Sequence, residues 1–412
     1  MRMKFNKSRQ LLLVSAVSLL TASLMTACAT LTTDFVYVTS AKAAGPNNYG
    51  EVNVFEVNSE SGHMRQILTS PFPSGGRDPV AEAVSPDNTN LYVVNKDDNT
   101  IVQFIIGNDG KLYPQNTVNT PGVFPLAVAV AGTHLFVVDT YQPLPTCSTA
   151  APCSGSVAVF PILTADQAKA LTPSQPANTL GAAVTNTNIS ANYWPLTLPG
   201  NAAHVLTPTA VTVAASGAYV YIAAYDATAG GGYVFGFTVN SDGTLTALNG
   251  GTPFAAGAHP SAIVSDSGGN YLYVTDAANS NVLGYQINAG LLTPLSSSPF
   301  PAGSQPSAIA IDATNKFAFV TNAQDSNVIV YSIGGGTLTA LGTYPTGLQP
   351  VAIGIDPSKN QFIYTANFLG NTVSGFALQA NDGSLLISQG SPFGSNALPT
   401  AVAAIPHGSV KK

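Results

Sequence analysis

The chain has 412 residues, 45% of them hydrophobic and only 8% charged, with a formal net charge of −6. Soluble domains ordinarily carry about 25% charged residues, so solubility must come from Ser, Thr, Asn, Gln and backbone groups, while the evenly spread apolar residues exclude a disordered chain. Four of the 14 bases and none of the 20 acids lie in the first 27 residues, so the rest of the chain carries −10, which excludes charge-driven binding to nucleic acid or an anionic membrane surface.

Arg2, Lys4, Lys7 and Arg9 precede an apolar stretch, Leu11 to Leu24, that ends in Met25-Thr26-Ala27-Cys28. The stretch is too short and too soon interrupted to span a bilayer and reads as an export signal over residues 1–27. Small residues directly before a cysteine resemble the lipobox of bacterial lipoproteins. That resemblance implies lipidation of Cys28, a tether over 28–33, and attachment to the cell envelope through the lipid alone, at the outer membrane or periplasm of a Gram-negative host. The alternative is secretion after cleavage at Ala27-Cys28-Ala29.

Residues 34–406 are organised by a repeat. A proline followed two residues later by alanine recurs at repeat spacing in seven segments: Pro79-Val80-Ala81, Pro125-Leu126-Ala127, Pro208-Thr209-Ala210, Pro260-Ser261-Ala262, Pro306-Ser307-Ala308, Pro350-Val351-Ala352 and Pro399-Thr400-Ala401. All but one of the intervals lie between 44 and 52 residues. A period of this size built from short alternating segments predicts an all-β, seven-bladed propeller with four strands per blade. In one repeat the strands fall at Ser307 to Ile311, Phe317 to Thr321, Val328 to Ile333 and Thr337 to Leu341, separated by Asn-, Asp- and Gly-rich turns. The chain enters on a second-strand segment, Phe35 to Thr39, and ends on a first-strand segment, Pro399 to Ile405. The last strand is therefore expected to complete the first blade and close the ring, leaving 407–412 as a tail.

The one long interval places an insertion in the third blade, about 139–206. It holds Cys147 and Cys153, expected to form a small disulfide loop in an oxidising compartment. Thr164 is placed to cap a helical turn or two running to Leu171. Trp194, the only tryptophan, is a candidate ligand contact because long loops in compact domains are often functional. A lid that merely packs on the outside is the alternative.

The segments Tyr92-Val93-Val94-Asn95, Tyr273-Val274-Thr275-Asp276 and Phe319-Val320-Thr321-Asn322 resemble the repeats of YVTN-type propellers. Together with the Asp109-Gly110, Asp242-Gly243 and Asp382-Gly383 hairpins, the frame from Asp34 to Pro406 resembles the lactonase family typified by 6-phosphogluconolactonase. The resemblance implies water attack on a ring carbonyl, with a general base and a stabilised oxyanion, and Arg and His clustered beside the inner-strand prolines. Here those positions read Arg77-Asp78, Phe124, Thr207, His259, Gln305 and Gln349, and only Arg65 and Arg77 remain as arginines after the signal, which argues against a phosphate cradle.

Candidate catalytic residues are Glu82, a carboxylate at an otherwise aliphatic inner-strand position, with Arg77 and His259. Burial would raise the Glu82 pKa toward that of a usable base; the alternative is a structural pair with Arg77. Asp78, Gln305, Gln349 and Trp194 are candidate ligand contacts. Asx-rich turns such as Asp276 to Asn281 read as self-closing turns, the five histidines lack zinc spacing, and no cofactor or metal is expected. The leading expectation is a monomeric envelope module binding a glycan or protein, with a sugar-lactone hydrolase and a structural surface protein as alternatives.

Overall fold

The computed structural model describes residues 32–44, 47–200, 204–214, 217–357, 359–396 and 398–408. The segment expected to be an export signal, Cys28 and the first residues of the expected tether lie outside them.

Seven antiparallel sheets form the ring. Their innermost strands are Pro79–Val84, Val123–Ala131, Leu206–Val213, Pro260–Ser265, Pro306–Ile311, Pro350–Ile355 and Pro399–Pro406. Each is followed outward by three more strands, as in blade 5, where Tyr271–Asp276, Asn281–Asn288 and Leu291–Pro294 succeed Pro260–Ser265. Two-residue strands such as Phe254–Ala255 and Phe300–Pro301 double back onto the third strand in four blades, a small addition to the expected four-strand plan.

The core is divided. Seven apolar clusters each combine residues of two neighbouring blades, one cluster per junction. Side chains alternate across a strand, so each sheet has two faces, and in a ring both must be covered by neighbours. This is why second strands such as Phe362–Asn367 are buried at every position. The aromatic residue of the Tyr-Val-Thr-Asn frame is a bolt across the junction. Tyr37, Tyr221 and Tyr273 donate to the carbonyls of Gly110, Gly290 and Gly336 in the following blade's hairpin.

The terminal Asx of that frame has a different task. Asn95, Asp139, Asp276, Asn322 and Asn367 pair with the proline or its partner position at the start of the inner strand. Their side chains accept from the loop entering that strand: Gly122 N–H on Asp139, Ala258 and His259 N–H on Asp276, Gly303 N–H on Asn322. The prolines therefore open the inner strands on one face of the ring, the proline face, against a pinned loop.

Ring closure follows the expected route. Pro399–Pro406 pairs with Thr32–Ala44, from Asp34↔Pro406 to Ser40↔Pro399. Both described chain ends thus leave from the face opposite the prolines, where His407 N–H donates to Thr33 O.

The third-blade insertion is split between the two faces. Residues 142–155, closed by the Cys147–Cys153 disulfide, follow the second strand at the proline face. Residues 162–193 leave the third strand at the opposite face and then climb its outer edge, with Val184 N–H on Val159 O, to Trp194, which pairs with Val157. At the opposite face Thr164 caps Ala165–Lys169 in a capping box with Gln167, one turn where up to two were expected. Asn178 reaches Asp87 and Thr89 of blade 2, strapping the excursion to its neighbour. One deletion spanning 163–206 would therefore remove features from both faces.

Candidate ligand-binding site

A cavity of about 550 Å³ opens on the proline face of blades 5, 6 and 7, lined by His259, Ser261, Ala277, Ala278, Gln305, Pro306, Ser307, Ala323, Gln349 and Val351. His259, Gln305 and Gln349 precede the inner-strand prolines of three successive blades, and the ring's rotation alone gathers them. Both glutamines sit in the left-handed region, at φ 54°, as do Asp78, Phe124 and Leu398 at the same repeat position. A side chain there costs on the order of 1 kcal/mol per residue, and its recurrence in five blades makes it a property of the blade entry rather than of the cavity.

The His259 ring stacks on Tyr225 of blade 4 at 4.1 Å between centroids. Its Nδ1 is buried without a hydrogen-bond partner, leaving Nε2 as the nitrogen open to a ligand. Tyr225 is available because the second strand of blade 4 runs two residues past the usual end: Pro208 pairs with Ala224, and Tyr225 and Asp226 project beyond it. Asp226, itself buried, binds the partly exposed His204 ring, a dyad at the same face that sequence reading did not single out. Burial alone would raise Asp226; the His204 contact and the amides of Ala229 and Thr228 outweigh it and hold the carboxyl below its usual range. The two-residue register offset between Tyr221 and Asp226 was the available signal.

The cavity serines are already engaged. Ser261 Oγ donates to Pro306 O at 2.5 Å and Ser307 Oγ to Pro350 O at 2.6 Å. They hold blades together and are poor candidates for a nucleophile. No charged side chain lines the cavity. Leu348 and Leu369, 62% and 59% exposed, form an apolar lip beside Gln349.

The remaining candidates are elsewhere. Arg77 and Asp78 lie on the proline face of blade 2, where Arg77 pairs with Asp98 and Asp78 with Lys96. The expected alternative pairing of Glu82 with Arg77 does not occur. Glu82 instead accepts from Thr39 Oγ1 at 2.5 Å and faces the Ala403 amide. Burial pushes its carboxyl up to about 7 against these two bonds. Blades 2 and 5 lie on opposite sides of a seven-membered ring, so Glu82 and Arg77 are not brought to His259. Trp194, 6% exposed, packs among Phe136, Val157 and Phe235 between blades 3 and 4 and does not reach the cavity. The turns read as self-closing are so built: Asn279 Nδ2 donates to Asp276 Oδ2 at 2.6 Å and Asn322 Nδ2 to Asn327 Oδ1 at 2.8 Å.

A sequence model of the family described as "Lactonase, 7-bladed beta-propeller" matches residues 48–142 and 178–403. The chain belongs to this family. The stretch the family match passes over, between 142 and 178, holds the disulfide loop and the capped helical turn, so the first part of the insertion falls outside the matched frame. Among solved structures, the periplasmic gluconolactonase PpgL of Pseudomonas aeruginosa is similar at a TM-score of 0.67 and 18% identity, covering 91% of this chain and 99% of that one. A candidate 6-phosphogluconolactonase from Bacteroides uniformis is similar at 0.68 and 17% identity, covering 91% and 100%. A protein from Lactobacillus plantarum is similar at 0.66 and 17%, covering 90% and 99%. At these identities the likeness is one of fold. No curated protein sequence matches the chain.

Proposed function

We propose that the protein is an exported envelope module that binds an uncharged, polyhydroxylated ligand, a sugar or sugar lactone, in the cavity of blades 5 to 7. The observation that carries this reading is the lining: one imidazole and two carboxamides as free polar groups, alanine, proline and valine between them, and no charge. Carboxamides donate and accept, which suits hydroxyls and ring oxygens, and a cavity of this size holds a small ligand. A phosphorylated substrate would lose its water without gaining a cation. Export with lipidation at Cys28 is supported by the signal pattern and by the Cys147–Cys153 disulfide, which belongs to an oxidising compartment. The name of the Pseudomonas relative combines the same two attributes, a periplasmic location and a sugar lactone.

A second reading is favoured by His259 itself. With a lactone carbonyl against Gln305 or Gln349, Nε2 could take a proton from water as the water oxygen bonds to the carbonyl carbon. The carboxamide N–H would hold the oxyanion, and collapse would break the ring C–O bond as the imidazolium returns the proton to the leaving alkoxide. Calorimetric titration with neutral aldonolactones and pyranoses, beside a pH-indicator assay of ring opening, tests both. Saturable binding without turnover supports the module; turnover abolished in His259→Gln supports the hydrolase; neither binding nor turnover in a folded protein removes this cavity as the site.

A further inference from the structure

We propose that this protein stands on its membrane by the face opposite the cavity, so that the cavity opens away from lipid into the aqueous compartment. The inference rests on the lipidation of Cys28 proposed above and adds to it an orientation that the fold dictates.

The first described strand, Thr32–Ala44, is the second strand of blade 1 and runs toward the proline face, meeting Pro399 only at Ser40. Its start, Thr32, is therefore on the opposite face. Four residue steps separate Cys28 from Thr32, a reach of at most about 14 Å when fully extended. The strand is also inboard. Tyr49–Asn58 and Met64–Gln66 lie outside it in the same sheet, and at about 4.8 Å per strand they place its exit about 10 Å in from the rim. A tether this short is consumed in crossing those strands and their side chains, so it does not let the ring lie on its edge.

The six-residue second strands, such as Tyr271–Asp276, separate the two faces by about 20 Å. The cavity mouth consequently sits beyond the tether's reach on the far side of the ring. Charge does not orient the ring, because the opposite-face turns mix exposed Lys316 and Lys359 with Asp109, Asp242 and Asp382. The covalent anchor does. The split insertion inherits the same polarity: the part from 162 to 180, which reaches the blade 2 turn through Asn178, is on the lipid side, and the disulfide loop is on the solvent side with the cavity.

The test uses the full chain matured in a bacterial host, with a dye on a single added cysteine, reconstituted into phosphatidylcholine vesicles carrying nitroxide headgroups. Ala313→Cys marks the opposite-face turn of blade 6 and Leu369→Cys the proline-face turn of blade 7. Strong quenching at 313, with none at 369 above a Cys28→Ser control, is expected. Equal quenching at both sites, or stronger quenching at 369, overturns the orientation. Mass spectrometry of the matured chain reads the anchor separately: no lipid mass on Cys28 overturns the anchoring reading and the orientation with it, whereas lipid mass with the wrong quenching order overturns the orientation alone.

Discussion

Thr39 donates its hydroxyl hydrogen to Glu82 across the junction between blades 1 and 2, joining residues 43 positions apart. Because the Ala403 amide faces the same carboxylate, Glu82 touches both the strand that opens blade 1 and the strand that closes it. It is a clasp on the ring closure.

The clasp titrates. Burial raises Glu82 from 4.5 to about 7 in the folded state. Between these values the native state keeps a proton that the unfolded chain has lost, so the unfolded state binds fewer protons and stability falls as pH rises. The contribution is fully present below about 4.5 and gone above about 7, on the order of 3 kcal/mol in all. Asp139, raised to about 7 by burial beneath the disulfide loop, adds a second contribution of the same sign. Denaturant melts from pH 4 to 8 should show the native chain losing stability across this window and Glu82→Gln losing less. An unchanged slope in that variant would remove Glu82 as the source.

Gln305 and Gln349 are expected to carry recognition. Neutral hydrogen bonds contribute about 0.5–1.5 kcal/mol each, so the double change to alanine should weaken binding of a neutral sugar lactone roughly 5- to 140-fold. A 6-phosphate on the ligand should not tighten binding. Titration calorimetry at two salt concentrations checks both, and a phosphate-dependent, salt-sensitive affinity would contradict the uncharged-ligand reading.

Trp194→Ala should destabilise the fold by about 3–5 kcal/mol, as large aromatic deletions from a core do, and leave ligand affinity in the surviving folded fraction unchanged. Thermal melts and titration of the same sample separate the two. Weaker binding without loss of stability would return Trp194 to the site.

Removal of residues 399–412 should abolish the cooperative unfolding transition. Strand Thr32–Ala44 loses its inner partner, blades 1 and 7 lose shared packing among Val36, Val38 and Tyr364, and Glu82 loses the Ala403 amide. A truncated chain that still melts in one sharp step would mean that closure is dispensable.

The ring was readable because its determinants repeat. Pro-x-Ala marks every inner strand, and the segments Phe35 to Thr39 and Pro399 to Ile405 can be matched to second and first strands without coordinates. Gln305 and Gln349 could be grouped for the same reason, since equal repeat positions in adjacent blades become neighbours. What repeats do not encode are partners across a junction. Arg77 is five residues from Glu82 in sequence, yet it stands on the proline face of blade 2 beside Asp98, while Glu82 meets Thr39. Trp194 sits in a segment rich in loop residues, and only the bridge Val157↔Trp194 reveals that it serves as an outer strand. Composition marks such a segment as loop, and packing decides otherwise.

The serine straps have a mechanical consequence. Ser261 and Ser307 tie blade 5 to 6 and 6 to 7, and Thr400 ties blade 1 to Pro79 of blade 2. Val80, Leu126 and Val351 carry no hydroxyl, and Thr209 donates within its own blade, to Ala223. The ring is thus a hoop whose straps are unevenly distributed. Two consecutive straps tie together the three blades that frame the cavity and carry His259, Gln305 and Gln349, whereas the junctions on either side of those blades have none. For the ligand proposed above, such a frame would act as a gauge of width, sorting by size through the spacing of the blades as well as by the polar groups they carry.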